Sequence, residues 1–343
     1  MKTVHIVGGG LAGLTLGLRL RQLGVPVELF EAGSYPRHRV CGEYLSGQGR
    51  DLLVSLLGET PLSRLGARSS QQLRIYRGKT SLHERPLPRS ALCLSRYRLD
   101  KLLADEFSRA GGRIHAQTRQ PILPKEGWVA ATGRQPSIQE EGWRWLGLKA
   151  HALNLQLPDG LEMHLTSWGY VGLCAVEENR VNVCGLFRTR ETIPDLAHRW
   201  RKWLGGEPGT ALHQRLMGVH WDEASFSGIS AISLRPRRAS EQSGVRVGDA
   251  LTMIPPLTGN GMSMAVEGAF LAAGPLESWA SGKISWSDCA EKIAQSLDKN
   301  FSSRLAWAHR LQQAVLHPLG QPLAWNLSLL CPFLPELIFR QTR

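Results

Sequence analysis

Thr3-Val4-His5-Ile6-Val7-Gly8-Gly9-Gly10-Leu11-Ala12-Gly13 decides how the rest of the chain is read. Thr3 to Val7 has the character of a short buried strand. Gly8-x-Gly10-x-x-Gly13 follows at once. Leu11, Leu14, Leu18, Leu20 and Leu23 then give a helix an apolar face, and Gly24 ends it. Val25-Pro26-Val27-Glu28-Leu29-Phe30 reads as a second strand, closed by Glu31.

Each position has a physical task. Gly8 permits the tight turn, Gly10 lets backbone approach a pyrophosphate, and Gly13 lets helix and strand pack closely. The first helical residues, Leu11 and Ala12, present free N–H groups and the positive end of the helix dipole to phosphate. Glu31, followed by Ala32, stands 18 residues after Gly13 (31 minus 13), where a carboxylate can hold both hydroxyls of a ribose. A bound dinucleotide is expected, and this unit does not by itself separate FAD from NAD.

The far end of the chain separates them. Val245-Arg246-Val247-Gly248-Asp249-Ala250 reads as a strand ending in Gly-Asp. Asp249 at that strand end can accept from a ribityl hydroxyl. Ile254-Pro255-Pro256-Leu257-Thr258-Gly259-Asn260-Gly261-Met262 precedes a helix of small residues. Gly259, Asn260 and Gly261 there offer N–H groups to a second polar part of a cofactor, with Pro256 and Met262 flanking them. A plain NAD unit has no use for this second clamp, whereas FAD does.

With these motifs the chain resembles FAD-dependent oxidoreductases of the p-hydroxybenzoate hydroxylase-like superfamily. The branch it is most similar to is that of geranylgeranyl reductases and flavin-dependent halogenases, with polyketide-associated oxidoreductases within it. Arg39-Val40-Cys41-Gly42-Glu43-Tyr44-Leu45-Ser46 resembles the family's Cys-Gly-Glu segment beside the flavin. Ser95-Arg96-Tyr97-Arg98-Leu99-Asp100 resembles its Ser-Arg-x-x-Leu-Asp helix start, and Thr132-Gly133-Arg134 sits where many relatives have Asp-Gly or Ser-Gly-Arg. Gly169-Tyr170-Val171-Gly172-Leu173 and Val181-Asn182-Val183-Cys184 resemble its substrate-domain strands.

The resemblance implies an FAD site built from Gly8, Gly10, Leu11, Ala12, Gly13, Glu31, Ala32, Arg39, Cys41, Gly42, Arg96, Thr132, Gly133, Asp249, Pro256, Gly259, Asn260, Gly261 and Met262. Arg39 and Arg96 would hold a phosphate or the ring edge, or be surface arginines. Cys41 and Glu43 are the catalytic candidates. Cys41 is either a proton donor, as proposed for double-bond reductases, or a small buried hydrophobe. Glu43 would orient substrate or donate a proton if burial raises its pKa, or else pair with Arg39. Thr132 departs from the Asp tied to NADPH in hydroxylase relatives, and there is no second Gly-x-Gly-x-x-Gly. NAD(P)H would therefore be a transient reductant on the FAD unit, or a partner would supply electrons.

The implied activity is monooxygenation of an apolar aromatic or polyketide-like small molecule through a flavin hydroperoxide. Geranylgeranyl reductase-like double-bond reduction, halogenation and a non-catalytic flavoprotein are the alternatives. Two local matches are discounted. Trp143-Arg144-Trp145 lacks the Ile-Pro of the halogenase motif and falls too early, so it reads as a strand with two aromatics. Lys79 in Tyr76-Arg77-Gly78-Lys79-Thr80 reads as a solvated hairpin lysine.

The implied fold is α/β: a discontinuous Rossmann-like FAD-binding domain (1–68, 90–148 and 243–283), a β-sheet substrate domain (69–89 and 149–242) and a helical C-terminal region (284–343). Trp286, Ile293, Leu297, Phe301, Leu305 and Leu311 carry the helical spacing of the last part. Several of the 11 Trp could line an apolar cavity, with core packing as the default for each.

The 343 residues, 42% hydrophobic and 20% charged, suffice for a full core and exclude wholesale disorder. Net charge is +12, from 41 Lys+Arg against 29 Asp+Glu. No run of five basic residues exists, the densest cluster being Arg235-Pro-Arg237-Arg238, and a nucleic-acid partner is not expected. The charge is either scattered over a soluble enzyme or serves an acidic carrier protein bearing the substrate. Six Cys without a Cys-x-x-Cys pair, and no His at ligand spacing, point to reduced thiols, a cytoplasmic location and no metal. The start of the chain lacks the features of a signal peptide. Leu311 to Pro335 carries no charged side chain but is broken by Pro318, Pro322, Pro332 and Pro335. It is expected to form short helices that close the substrate cavity or touch a membrane face, and not to span a bilayer.

Overall fold

The computed structural model describes residues 1–82, 84–136, 142–191, 195–317, 320–322 and 325–326. The first unit runs β1 (Val4–Val7), α1 (Leu11–Gln22) and β2 (Val27–Phe30). Then come β3 (Tyr44–Leu45), α2 (Gln48–Leu57), α3 (Glu59–Arg64), β4 (Arg68–Arg77), β5 (Thr80–Ser81), β6 (Arg85–Cys93) and α4 (Arg96–Arg109). The middle of the chain gives β7 (Arg113–His115), β8 (Trp128–Ala130), β9 (Arg144–Ala152), β10 (Leu161–Leu165), β11 (Gly169–Ala175) and β12 (Val181–Thr189). After α5 (Leu196–Leu204), α6 (Ala211–Leu216), β13 (Trp221–Ser230) and β14 (Val245–Arg246), the long helices α7 (Gly261–Ala280) and α8 (Trp286–Leu316) complete the fold.

Two sheets organise these elements. The first is parallel, in the order β14-β8-β1-β2-β7. Numbered within the sheet this is 5-4-1-2-3, the doubly wound order whose crevice at the strand ends receives a dinucleotide. Both faces are covered, so α1 is buried almost all round, from Leu11 to Leu20. Gly17 of α1 lies against the Phe107 ring of α4, where a Cβ would stand 2.9 Å from it.

The second sheet runs β13-β9-β12-β11-β10-β4-β6-β3, with β5 hairpinned on β4, and is antiparallel except between β10 and β4. Its two faces differ. Leu146, Leu148, Ala150 and Ala152 of β9 face one core with Trp200 of α5 and Leu212 of α6. The alternate residues face the Rossmann layer, as the period of two requires. There Met163, Tyr170 and Leu186 pack with Ile232, Leu234, Leu316, Met253 and Leu257.

Three tryptophans follow the default of core packing. Trp200, Trp203 and Trp221 pack with Phe187 and Phe226 on the face turned away from the Rossmann layer. Their indoles fill the layer under α5 because that layer needs bulk.

α8 is a single 31-residue helix, opened by a capping box of Ser285 and Asp288. Cys289, Ile293, Leu297, Phe301, Leu305, Ala308 and Gln312 form its buried stripe. Leu311 to Leu316 therefore continues α8 instead of forming a separate short helix. Its cap is His317, directly before Pro318, where a following proline disfavours helical backbone. Most of the apolar stretch beyond lies outside the described residues. Among the described residues, no helix is long and apolar enough to cross a membrane.

Candidate functional site: a nucleotide cradle and a buried charge cluster

The turn after β1 is shaped by close backbone approach. Gly8 has φ +108°, and a Cβ on it would stand 2.3 Å from the Ala131 carbonyl oxygen, just before Thr132. A Cβ on Gly13 would meet the Gly8 oxygen at 2.0 Å. Gly10 differs: its open side faces the guanidiniums of Arg39 and Arg96, each 3.9 Å from where a Cβ would sit. The N–H groups of Leu11, Ala12 and Gly13 lie in the first turn of α1, where intrahelical partners are lacking.

The surrounding charges are fixed in place. Glu31 accepts from the N–H of Gly9 at 2.9 Å and of Gly33 at 2.8 Å. Arg37 and Arg39 pair with it at 2.7 and 3.4 Å. Burial would raise the Glu31 pKa, but these N–H groups and arginines outweigh it and hold the carboxyl below its ordinary value. Ala32 beside it is exposed. Arg96 forms a bidentate pair with buried Asp100, at 2.7 and 2.8 Å, and Arg39 shares that carboxylate at 3.1 Å. Arg37, Arg39 and Arg96 thus meet two carboxylates, leaving one positive charge over Gly10. That excess suits an anionic pyrophosphate.

Gly248 brings the distal motif to the same place. A Cβ there would stand 2.8 Å from Cβ of Ala12 in α1 and 3.8 Å from Ala265 in α7. Asp249 follows, with no hydrogen bond or ion pair from its carboxyl among the described residues. Burial pushes its pKa up to about 6, against the pull of Arg96 and Arg134. Pro256 begins a short turn, Gly259 takes the left-handed conformation at φ +65°, and buried Asn260 and Met262 flank Gly261, the first residue of α7. Gly133, at φ +80°, also has an open face. An open glycine beneath two arginines, an unpartnered acid and two helix N-termini fit a dinucleotide with a polar linker.

Cys41-Gly42-Glu43 bridges this cradle to the second sheet. Cys41 Sγ accepts from the Arg96 guanidinium and, at 3.4 Å, from the Glu43 N–H. Burial raises the Cys41 pKa despite Arg96, so the sulfur stays a thiol. Asn182 of β12 donates to the Cys41 carbonyl at 3.0 Å, and Cys174 of β11 to that of Gly42 at 3.2 Å.

Glu43 departs from the expected pairing with Arg39 and from a pKa raised by burial. Arg39 does not pair with it, being occupied by Asp100 and Glu31. Glu43 meets Lys149 at 3.3 Å and His151 at 2.7 Å, and it accepts from the Arg96 N–H at 3.0 Å. Glu43, Lys149 and His151 are all fully buried. Burial would raise the Glu43 pKa, but His151, Lys149 and the Arg96 N–H reverse the direction and lower it. Glu43 is therefore an ionised carboxylate and not a standing acid.

Lys149 and His151 escaped the sequence reading, although a signal existed. In Leu148-Lys149-Ala150-His151-Ala152 polar and apolar residues alternate, which puts Lys149 and His151 on one face of β9. Trp143-Arg144-Trp145 leads into β9, with the guanidiniums of Arg188 and Arg190 at 4.3 and 4.7 Å from the Trp143 ring. Lys79 lies in the β4–β5 turn after Gly78. No cluster suited to a metal ion occurs among the described residues.

Residues 6–54 match the family model of an NAD(P)-binding Rossmann-like domain. Solved structures of flavin-dependent monooxygenases and halogenases share the fold over nearly the whole chain. One is PqsL, described as a probable FAD-dependent monooxygenase from Pseudomonas aeruginosa: 17% identity, 95% of this chain and 99% of that one, TM-score 0.71. A flavin-dependent brominase is similar at 15% identity, over 99% and 92% of the two chains, with TM-score 0.73. The myxobacterial chondrochloren halogenase CndH is similar at 17% identity, over 88% and 80%, with TM-score 0.70. No curated protein sequence matches.

Proposed function

We propose that this chain is an FAD-dependent oxidoreductase, a monooxygenase of an apolar aromatic or polyketide-like molecule. The observation that carries the reading is the open face of Gly10 beneath Arg39 and Arg96, with Glu31 and unpartnered Asp249 beside it. Glu31 would hold the ribose, the α1 N-terminus with Arg39 and Arg96 the pyrophosphate, and Asp249 the ribityl chain. Thr132, Gly133 and the Pro256–Met262 turn would bound the rest. FAD, once bound, supplies two-electron redox chemistry and reactivity toward dioxygen.

The other residues position, exclude water and hold protons. Residues 1–68, 90–148 and 243–283 would supply most of the FAD unit and 69–89 and 149–242 most of the substrate unit, with β3, the end of β6 and the start of β9 going to the second sheet, and 284–343 would form the helical cover. PqsL has been crystallised with 2-aminobenzoylacetate, an aromatic molecule. NAD(P)H is the proposed transient reductant. The described cysteines, all free, accord with a cytoplasmic location.

Double-bond reduction is the second reading, favoured by Cys41: a protonated thiol against Arg96 is a proton donor in waiting. The test is anaerobic reduction of the FAD-loaded protein followed by an oxygen pulse with and without aromatic acceptors. An oxygenated product supports the monooxygenase. Oxygen-insensitive saturation of a polyprenyl substrate supports the reductase. A protein that cannot be loaded with FAD sinks both.

A further inference from the structure

Both proposed reactions take one proton from solution per turnover. Monooxygenation balances as S–H + O2 + NAD(P)H + H+ → S–OH + NAD(P)+ + H2O, and double-bond reduction as C=C + NAD(P)H + H+ → HC–CH + NAD(P)+. A line of polar groups leads inward from the surface to Glu43. His38 is half-buried and stacks on the exposed ring of Tyr97, with centroids 4.6 Å apart. His38 Nδ1 lies 3.2 Å from Lys149 Nζ. The same Nζ lies 3.3 Å from Oε1 of Glu43, and His151 secures the other carboxylate oxygen at 2.7 Å. The backbone N–H of His151 is in turn held by Ser225 Oγ at 2.7 Å.

We propose that His38, Lys149 and Glu43 form a proton path from solvent to the Cys41-Gly42-Glu43 segment. The path rests on the FAD reading above. At rest the Nζ ammonium donates to Nδ1, so neutral His38 carries its ring proton on Nε2. Once Nζ has given one proton to Oε1, neutralising both groups, exchange with water moves the ring proton to Nδ1. His38 then takes a proton from water at Nε2 as it hands the Nδ1 proton to Nζ. Glu43 then releases its proton toward the reacting groups, so one proton enters at His38 and one leaves at Glu43. Glu43 rests ionised, so the neutral pair is a transient step of the transfer. Two charges held out of water carry a desolvation penalty that their neutral forms avoid, which narrows the gap between ionised and neutral pair. His151 is a positioning residue that aims the carboxylate.

The groups facing this line set its proton balance. Lys149 and His151 from β9 disfavour charge on His38, while Glu43 and Asp222 of β13 favour it. Cys41, Cys184 of β12 and Arg96 of α4 face Glu43 and Lys149. With burial leading, His38 is pushed down to about 4, so it traps no proton at neutral pH.

Two measurements test the path. In FAD-free protein, NMR titration should find His38 near 4, and Lys149→Met should move it toward its ordinary 6.5. An ordinary His38 titration that Lys149→Met leaves unmoved overturns the path whatever the cofactor. The second measurement uses FAD-loaded, photoreduced protein mixed with oxygen, FADH− + O2 + H+ → FAD + H2O2, followed by return of flavin absorbance. His38→Ala, at a half-buried position that spares the core, should slow reoxidation roughly 10- to 100-fold at alkaline pH and less at acid pH. Free imidazole should restore the rate in proportion to its concentration. Unchanged reoxidation, or slowing that imidazole does not relieve, overturns the path while leaving the FAD reading intact. A protein that acquires no flavin absorbance sinks the FAD reading and the path together.

Discussion

Gly8 and Gly10 stand two positions apart and answer to opposite constraints. A side chain on Gly8 collides with backbone inside the fold, whereas one on Gly10 enters open space between Arg39 and Arg96. Gly8→Ala should therefore lower the melting temperature of the FAD-free protein, by the overpacking cost of about 1–3 kcal/mol or more. Gly10→Val should leave that melting nearly unchanged and abolish FAD retention, read as flavin released on denaturation. Loss of folding in Gly10→Val would contradict the open cradle. Asp249 gives a pH signature. Its folded pKa of about 6 lies above the unfolded 3.8, so the native state binds more protons between those values. Stability of the FAD-free protein should fall as pH rises from about 4 to 6. Asp249→Asn should remove that fall, gaining up to about 3 kcal/mol at neutral pH while weakening FAD binding. Urea titrations across pH decide it. Glu31 and Asp249 were legible in the sequence because each follows a strand-and-glycine motif. Lys149, His151 and His38 were not, since their contacts cross 111 residues to His38 and 108 to Glu43. No local pattern encodes which strand covers a loop.

Among the elements, α4 shows how a cap serves a site. Ser95 is its N-cap, accepting from the Arg98 N–H at 3.3 Å, while its own N–H donates to Glu177 at 2.9 Å. The next residue is Arg96, whose aim depends on where the helix begins. Ser95→Ala should cost about 1–2 kcal/mol in chemical denaturation. It should also weaken FAD binding without touching the cofactor; undiminished affinity would separate the cap from the site. The Ser95-Arg96-x-x-Leu99-Asp100 pattern made this helix start readable, and the i, i+4 spacing of Arg96 and Asp100 made their pairing natural. α8 was readable as a helix but not in its length. Its buried stripe stays apolar to Ala308, then presents Gln312 where the helix leaves the Rossmann core and meets the second sheet. A polar residue on an apolar face becomes intelligible only once its partner is known.

That partner operates at the scale of the whole molecule. Tyr170 of β11 donates to Gln312 at 3.2 Å, and the Leu257 N–H of the loop before α7 faces its oxygen. One phenol thus ties the sheet, the loop and the last helix. Tyr170→Phe should cost about 1–3 kcal/mol by leaving buried groups unpaired, measured as a drop in urea midpoint. The net charge of +12 makes a separate prediction. If it serves an acidic carrier, turnover of carrier-bound substrate should fall steeply with salt, since exposed charges are screened beyond about 8–10 Å. Turnover of a free substrate should barely change, and equal responses would assign the charge to the general surface. The doubly wound half was legible from Gly8 to Glu31 because local order dictates it. The second sheet was legible as strands but not as an order, because β3, β4 and β10 find their neighbours across long stretches of chain. The pairing of β14 with β8 carries a consequence for biosynthesis. From Ala130 to Val245 is 115 positions (245 minus 130), so the outer edge of β8 emerges from the ribosome long before its partner. At about 5–20 residues per second the nascent chain waits roughly 6–23 seconds with a parallel strand edge open and the covering α7 unmade. An unpaired edge of that kind templates aggregation. Slower, cooler expression or a holdase chaperone should raise the soluble yield of the full chain, whereas a fragment ending at 242 should stay insoluble under the same treatment.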